Sequence, residues 1–490
     1  MEEGTFPMRM DPEICERARL SRDPRFDGRF FVAVVTTGIY CRPICPAPRP
    51  KRENVRYFPT AAAAATAGFR PCLRCRPESA PGSAAWNGAS TTVSRTLRLV
   101  ADGALNGRGL GDLANRLGVT PRHVHRLCVR HLGASPRSIA RTRRLLFAKK
   151  LLDETALPVG QIALASGFGS VRSFNDAFRK TYRRTPREVR RASPSKGRCA
   201  DGPGWTLRLS YRPPMDWSTL LGFLAPRATP GVERVDGETY SRTILVDGRP
   251  GAIVVRRCPG EHALALTVHH PESGILFDVA RRVRGTFDLD ADTEEIREHL
   301  ARDPLLRETV RARRGLRVPG AWDGFELAVR AILGQQVSVK GATTLAGRLA
   351  QAYGRSAGDA AVEGLDRIFP GPRDLRAVDP SVVGVPAARA RTIELLAAAV
   401  ARGEIVFDDT MPPEALRARL TGVPGIGEWT AEYVAMRALR DPDAFPATDL
   451  GLLTAMSNGA GRAEPATLRR HAEAWRPWRA YAAMHLWSTP

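Results

Sequence analysis

Four cysteines within the first 80 residues, Cys41, Cys45, Cys72 and Cys75, form a C-x3-C and a C-x2-C pair. Two short-spaced pairs of this kind gather four thiolates around one tetrahedral Zn2+, and a purely structural zinc is the plainest chemistry they offer. A second constellation stands near the C-terminus, in Leu420-Thr-Gly-Val-Pro-Gly425-Ile-Gly427-Glu-Trp429-Thr-Ala-Glu-Tyr433. Glycines at 425 and 427 let the backbone approach a phosphate closely, and the helix that follows, through Thr430, presents unpaired amides to it. Trp429 and Tyr433 lie four apart on that helix, a spacing more common in cores than in ligand clefts. Asp449 follows in Phe445-Pro-Ala-Thr-Asp449-Leu, where a helix cap is the structural alternative to catalysis.

A chain of 490 residues is too long for one core, so three or more domains must position these groups. The balance of 74 basic to 51 acidic residues, a net charge of +23, points to a polyanion, and nucleic acid is the obvious one. Cys15, Cys128, Cys199 and Cys258 are scattered without pairing spacings, which suits a reducing compartment. The acidic stretch Met1 to Glu13 lacks an apolar core and no segment reaches the ~20 apolar residues of a membrane span. The expected location is cytoplasmic, on the bacterial nucleoid, without membrane contact.

The fold class expected is multidomain α+β. A small zinc-binding α/β unit occupies residues 1–80 and ends at a Pro, Gly, Ser and Ala linker, Glu78 to Ser90. An all-α unit at 90–192 has apolar residues three and four apart and two helix-turn-helix signals. In the first, running from Leu110, Gly118 makes the tight turn and Pro121 opens the next helix; the second runs from Ile162 through Gly167 to Phe178. Pro121 to Lys150 carries nine Lys or Arg, three histidines and no acid. Arg122, His123 and Arg126, with Arg172, Ser173 and Asn175, occupy helix starts that can reach bases or phosphates in the major groove. Beyond a polar break at Ser193 to Gly204, alternation in Trp205–Tyr211, Thr243–Val246, Ala252–Arg256 and Ala263–Val268 predicts a small antiparallel sheet unit at 204–290, with a helix near Trp217–Leu224. Residues 291–490 read as helical.

Three resemblances cover nearly the whole chain. Thr36-Thr-Gly-Ile-Tyr-Cys41-Arg-Pro-Ile-Cys45 and Gly68-Phe-Arg-Pro-Cys72-Leu-Arg-Cys75 resemble the N-terminal domain of the Ada family of DNA-methylation sensors. The two helix-turn-helix units resemble the AraC-type DNA-binding domain. Gly204 to Pro490 resembles the AlkA-type 3-methyladenine glycosylases with a helix-hairpin-helix, through the hairpin, Asp449, Ala331-Ile-Leu-Gly-Gln335-Gln336-Val-Ser-Val, and the terminal run Trp475 to Trp487.

The Ada resemblance implies that Cys41 is both zinc ligand and methyl acceptor, with Thr37 and Arg70 near phosphates. Four thiolates on Zn2+ carry a net −2, leaving electron density for attack on a methylphosphotriester; transfer to Cys41 reduces the charge to −1. The AlkA resemblance implies that Asp449 stabilises a cationic sugar at C1′ once an alkylated base has been extruded. Trp429, Tyr433 and Trp487 would receive that base, where a cation gains roughly 0.5 to 2 kcal/mol from the rings. Gln335 and Gln336 would lie on the helix bearing the wedge, with polar Gln336 where the family has leucine. Gly425, Gly427 and Thr430 would grip the backbone. Trp429 stands where strand-cutting relatives place a lysine, so a monofunctional glycosylase is expected. The chain has no Pro-Cys-His-Arg motif, so the second Ada methyltransferase is expected to be absent. Double-stranded DNA, alkylated and operator, is the expected partner of a monomer, with RNA polymerase a further one. The alternative is a methylation-sensing regulator whose C-terminal half binds DNA without catalysis.

Overall fold

The computed structural model describes residues 11–77, 80, 91–101, 103–105, 109–192, 204–358, 362–407, 411–457 and 462–488. Residues 1–10, most of both expected linkers, and Cys199 lie outside the described residues. Among the described residues no helix is long and apolar enough to cross a membrane.

Helix α1 (Pro12–Ser21) starts at Asp11, whose side chain accepts from the Glu13 amide at 2.8 Å. Strands β1 (Phe31–Val34), β2 (Ile39–Cys41), β3 (Val55–Phe58) and β4 (Arg70–Pro71) form a sheet in the order β3-β1-β2-β4, with α2 (Ala61–Thr66) between β3 and β4. Only the β2–β4 pairing is parallel, which brings the two cysteine-bearing segments side by side.

The helical unit comprises α3 (Thr91–Ala101), α4 (Leu110–Leu117), α5 (Pro121–Leu132), α6 (Pro136–Glu154), α7 (Val159–Ala165), α8 (Val171–Tyr182) and α9 (Pro186–Ala192). Gly118 takes φ +70° between α4 and α5, a left-handed turn that favours glycine. Thr120 and Ser170 cap α5 and α8, the second helix of each helix-turn-helix, by accepting from the amides of His123 and Ser173.

Five antiparallel strands follow: β5 (Trp205–Ser210), β6 (Glu233–Asp236), β7 (Thr239–Val246), β8 (Arg249–Arg257) and β9 (Ala263–His269), in the order β5-β9-β8-β7-β6, with α10 (Trp217–Leu224) between β5 and β6. The sequence predicts only four. The edge strand β6, Glu-Arg-Val-Asp, is too polar to alternate visibly, and it is held by pairing with β7 from Glu233↔Arg242 to Asp236↔Thr239. Asp247 and Gly248, at φ +50° and +76°, make the two-residue hairpin between β7 and β8.

The remainder is helical: α11 (Leu276–Thr286), α12 (Thr293–Leu300), α13 (Pro304–Ala312), α14 (Gly324–Leu333), α15 (Val339–Tyr353), α16 (Pro380–Val383), α17 (Ala387–Ala401), α18 (Pro413–Thr421), α19 (Glu428–Arg437), α20 (Leu450–Met456), α21 (Pro465–Ala472) and α22 (Arg479–Trp487). It is interrupted by the short pair β10 (Arg355–Ser356) and β11 (Arg367–Ile368). Buried ion pairs between Arg242 and Glu326, and between Arg330 and Glu233, each 2.7 Å, lock α14 onto the sheet.

The units share cores. One apolar cluster runs from Leu145 and Phe174 of the second helix-turn-helix into Leu207, Leu266 and Val279 of the sheet unit, and Phe147 meets Phe277 edge-on at 4.9 Å. The zinc unit is tied on by Arg212, fully buried, whose guanidinium donates twice to the Asp27 carbonyl and reaches Asp292 at 3.3 Å. Arg29 pairs with the same Asp292 from the zinc side. Removing one member of such a group leaves buried charge uncompensated. Arg212→Met therefore lowers stability by about 3 kcal/mol, read as a lower urea midpoint together with faster proteolytic release of the zinc unit.

Candidate active site and zinc centre

Pairing of Ile39 with Arg70 and Tyr40 with Pro71 sets the register of β2 on β4, and the Cys72 amide then donates to the Tyr40 carbonyl at 2.9 Å. Cys41 and Cys72 thereby leave adjacent strand ends. A turn from Arg42 returns Cys45, whose amide donates to the Arg42 carbonyl, and the Arg42 amide donates to Cys75 Sγ at 3.3 Å. All four Sγ atoms lie within 4.8 Å of one another. A tetrahedron with Zn–S bonds of about 2.3 Å needs sulfurs about 3.8 Å apart, so the cluster fits a single zinc. The four sulfurs lie close enough together to share one divalent cation, which binds the thiolate forms and takes the place of their protons.

Cys72 and Cys75 are buried, whereas Cys41 and Cys45 are partly open. Thr37 lies exposed in the turn after β1, and Arg70, half-buried, donates its backbone amide to the Gly38 carbonyl at 2.8 Å, which puts both at the start of β2. The Arg42 side chain pairs with buried Asp27, which fixes the loop between the first two ligands. Cys15 and Cys128 are buried and burial pushes their thiols up, to about 11 and about 12, as expected of fillers.

Arg122, Arg126, Arg172 and Ser173 are exposed at the starts of α5 and α8, while His123 and Asn175 are half-buried. Arg126 reaches His123 Nδ1 at 3.2 Å.

In the C-terminal unit, Gly425 takes φ +91°, and a Cβ there would lie 2.1 Å from Thr392 Oγ1, which itself donates to the Pro424 carbonyl at 2.9 Å. Gly427 precedes α19 in open space. Thr430, 2% exposed, accepts on its hydroxyl from Gln335 Nε2 at 3.2 Å, so what it can offer a phosphate is its backbone amide. Gln335 also donates to the Gly425 carbonyl at 2.9 Å, which makes it a brace of the hairpin. The expected placement of Gln335 and Gln336 on a helix is corrected: α14 ends at Leu333, and both residues lie in the turn before α15. Gln336 is exposed at φ +58°, followed by exposed Val337.

Asp449 caps α20, Oδ1 accepting from the Leu452 amide at 3.1 Å. Both of its oxygens are also held by indoles: Trp429 Nε1 donates to Oδ2 and Trp487 Nε1 to Oδ1, each at 2.8 Å. Capping and site geometry are therefore not alternatives. Trp429 and Tyr433 stack with centroids 5.2 Å apart and planes 9° from parallel, and Trp487 stands at 61° to Tyr433, 6.4 Å away. Pro477 interrupts the expected terminal helix, so α22 starts only at Arg479 and ends at Trp487. Arg437, which donates to the Tyr433 hydroxyl at 2.6 Å, and Phe223, which lies against Arg437, are not legible in the sequence. Phe223 lies some 200 residues upstream of the hairpin, and neither position carries a local motif.

Residues 206–323 match the AlkA N-terminal domain, 14–78 the metal binding domain of Ada, and 113–192 a helix-turn-helix domain. The chain is 44% identical, over 98% of its length and 97% of the relative, to the "Probable bifunctional transcriptional activator/DNA repair enzyme AlkA" of Mycobacterium tuberculosis. The chain belongs to this family of bifunctional transcriptional activator/DNA repair enzymes. It is also 36% identical to DNA-3-methyladenine glycosylase 2 of Escherichia coli, over 57% of this chain and 96% of that one. The solved 3-methyladenine DNA-glycosylase of Archaeoglobus fulgidus shares the fold of the C-terminal half, with a TM-score of 0.50 and 23% identity over 57% of this chain and 96% of that chain. Family membership makes the four-cysteine cluster of the Ada domain a zinc site.

Because Gly425 is both left-handed and in contact with Thr392, Gly425→Ala displaces the hairpin. It weakens binding of undamaged duplex at least tenfold in a fluorescence anisotropy titration, with zinc content unchanged.

Proposed function

We propose that this chain is an alkylation-response protein in which Cys41 accepts methyl groups, α5 and α8 read an operator, and Asp449 drives base excision. Transcriptional activation, methyl acceptance by an Ada-type zinc domain and 3-methyladenine glycosylase activity are the properties of its family. The residue assignments are our reading, and they extend to units spanning 1–80, 90–192, 204–290 and 291–490.

The observation that carries the glycosylase assignment is the carboxylate of Asp449 held between two indoles at 2.8 Å on each side. Alkylation at N3 of adenine makes the base a cation and weakens its glycosidic bond. Cleavage then requires little beyond stabilising positive charge as it grows on the sugar, which a fixed carboxylate provides. Trp429, Tyr433 and Trp487 wall the cleft, and the Gly425–Thr430 backbone grips the strand beside it. The hairpin offers no lysine, so excision is monofunctional and leaves the abasic strand intact.

Cys41, Cys45, Cys72 and Cys75 would hold the Zn2+ ion, which when bound would favour the thiolate form of Cys41. The sulfur attacks the methyl carbon of a neutral methylphosphotriester, the C–O bond breaks, and the electron pair leaves on the phosphodiester oxygen. Removing one negative charge about 10 Å from a phosphate is worth roughly 0.4 kcal/mol in water, and over a few phosphates this becomes about tenfold in affinity. The proposed partners are alkylated and operator duplex DNA and RNA polymerase, with the protein acting as a monomer on the bacterial chromosome in the cytoplasm.

Asp449→Asn lowers release of 3-methyladenine from methylated duplex by a factor of about 10² to 10³, measured by chromatography of free base; unchanged release would refute the assignment. Quantitative methylation, confirmed by mass spectrometry on the Cys41 peptide, tightens operator binding about tenfold at matched salt. Equal affinity before and after removes the charge switch.

A further inference from the structure

Arg227, Phe223 and Arg437 extend the Tyr433–Trp429 stack into a column of cations and rings, and neither methyl acceptance nor stabilisation of the sugar cation uses these three. Arg227 lies over the Phe223 ring at 3.9 Å, Arg437 over the same ring at 5.2 Å and over Tyr433 at 5.4 Å, and Tyr433 stacks on Trp429. Arg437 is 4% exposed and immobilised, Nε donating to the Pro319 carbonyl at 2.8 Å and Nη2 to the Gly320 carbonyl at 3.2 Å. Its remaining arm donates to the Tyr433 hydroxyl at 2.6 Å, and Arg227 adds a second favourable contact to the same oxygen.

A phenol oxygen that accepts from a guanidinium must direct its own proton elsewhere. Among the described residues none accepts that proton. Burial alone would raise the Tyr433 phenol, but Arg437 and Arg227 outweigh it and hold it below its ordinary value, which makes it a stronger donor than a free tyrosine. The ring that carries this donor stacks on Trp429, whose indole holds the Asp449 carboxylate.

We propose that Arg437 is a positioning residue that polarises Tyr433, and that the Tyr433 O–H donates a hydrogen bond to the extruded base, assisting departure of neutral bases in particular. This rests on the reading of Trp429, Tyr433, Trp487 and Asp449 as the base cleft. Hydrolysis breaks the C1′–N bond with both electrons leaving on the base, and a water oxygen bonds to C1′ and gives up a proton to solvent, which a neutral base takes back on leaving. A cationic alkylated purine leaves as a neutral molecule and develops no negative charge. A neutral base develops one until it takes up a proton, and a hydrogen bond from Tyr433 to its acceptor edge lowers that cost. The carboxylate and the phenol thus divide the work: Asp449 answers the charge on the sugar, and Tyr433 the charge on the leaving group.

The test uses the full chain under single-turnover conditions with two duplexes differing only in the target base, cationic 7-methylguanine or neutral hypoxanthine. Tyr433→Phe lowers both rates by leaving the buried Arg437 arm without its acceptor, but the loss on hypoxanthine exceeds that on 7-methylguanine by about tenfold, the worth of one hydrogen bond to a developing charge. Arg437→Met shows the same differential, and Arg437→Lys, which retains a donor, recovers part of it. If Arg437→Met does not fold, the Tyr433→Phe differential alone decides. Equal losses on the two bases overturn the proposal, as does a wild-type chain that releases 7-methylguanine and no hypoxanthine. A wild-type chain that releases neither base refutes the glycosylase assignment itself, a result separate from the differential.

Discussion

One carboxylate organises the C-terminal half of the molecule. Asp449 receives three N–H donors on two oxygens: the indoles of Trp429 and Trp487 and the Leu452 amide at the start of α20. Both indoles also pack against Tyr433, so the position of the acid and the arrangement of the three rings are a single constraint. Neither can be altered without the other. The charge and its donors are in place before any substrate arrives, which is the preorganisation that the proposed role of Asp449 requires.

The elements that deliver these three residues come from distant parts of the chain and depend on each other. Trp429 is set by α19, whose start is fixed by the hairpin; the hairpin is braced by Gln335 from the turn after α14, and α14 is pinned to the sheet through Arg242 and Arg330. Trp487 arrives on α22, where Tyr481 donates to Asp288 at 2.7 Å. Asp288 accepts this bond while fully buried, and burial pushes its carboxyl up to about 6. The small sheet, chemically silent in itself, is therefore the platform on which the cleft is built. The zinc unit and the second helix-turn-helix rest on the same platform, through Arg212 and through the shared core around Phe147.

Much of this is legible wherever chemistry demands local spacing. The C-x3-C and C-x2-C pairs announce a four-sulfur site, and the sulfurs converge because a two-residue parallel pairing, too short to leave a periodic signal, joins β2 to β4. Gly118 marks a tight turn and takes the positive φ that such a turn favours. What stays hidden has a common cause. The edge strand β6 is polar, and only its pairing with β7 defines it. The resemblance puts Gln335 on the wedge helix, whereas it lies in the turn after α14 and its side chain donates to the Gly425 carbonyl, a tertiary contact that no window of sequence encodes. Arg437 and Phe223 carry no motif and matter only through the ring they contact. Asp449 poses a false choice in the sequence, since a helix cap and a carboxylate held for another purpose look like alternatives, and the residue caps α20 while both its oxygens accept from indoles.

The most direct test is a double-mutant cycle joining Asp449→Asn and Trp487→Phe, read as single-turnover release of 7-methylguanine. If the indole acts by holding the carboxylate, Trp487→Phe costs a large factor in the wild-type background and little once the charge is gone, giving a coupling of at least ~1.4 kcal/mol, or tenfold. Additive losses would mean that Trp487 acts only as a wall of the cleft and that the acid works independently of it, which contradicts a carboxylate preorganised by its indole donors.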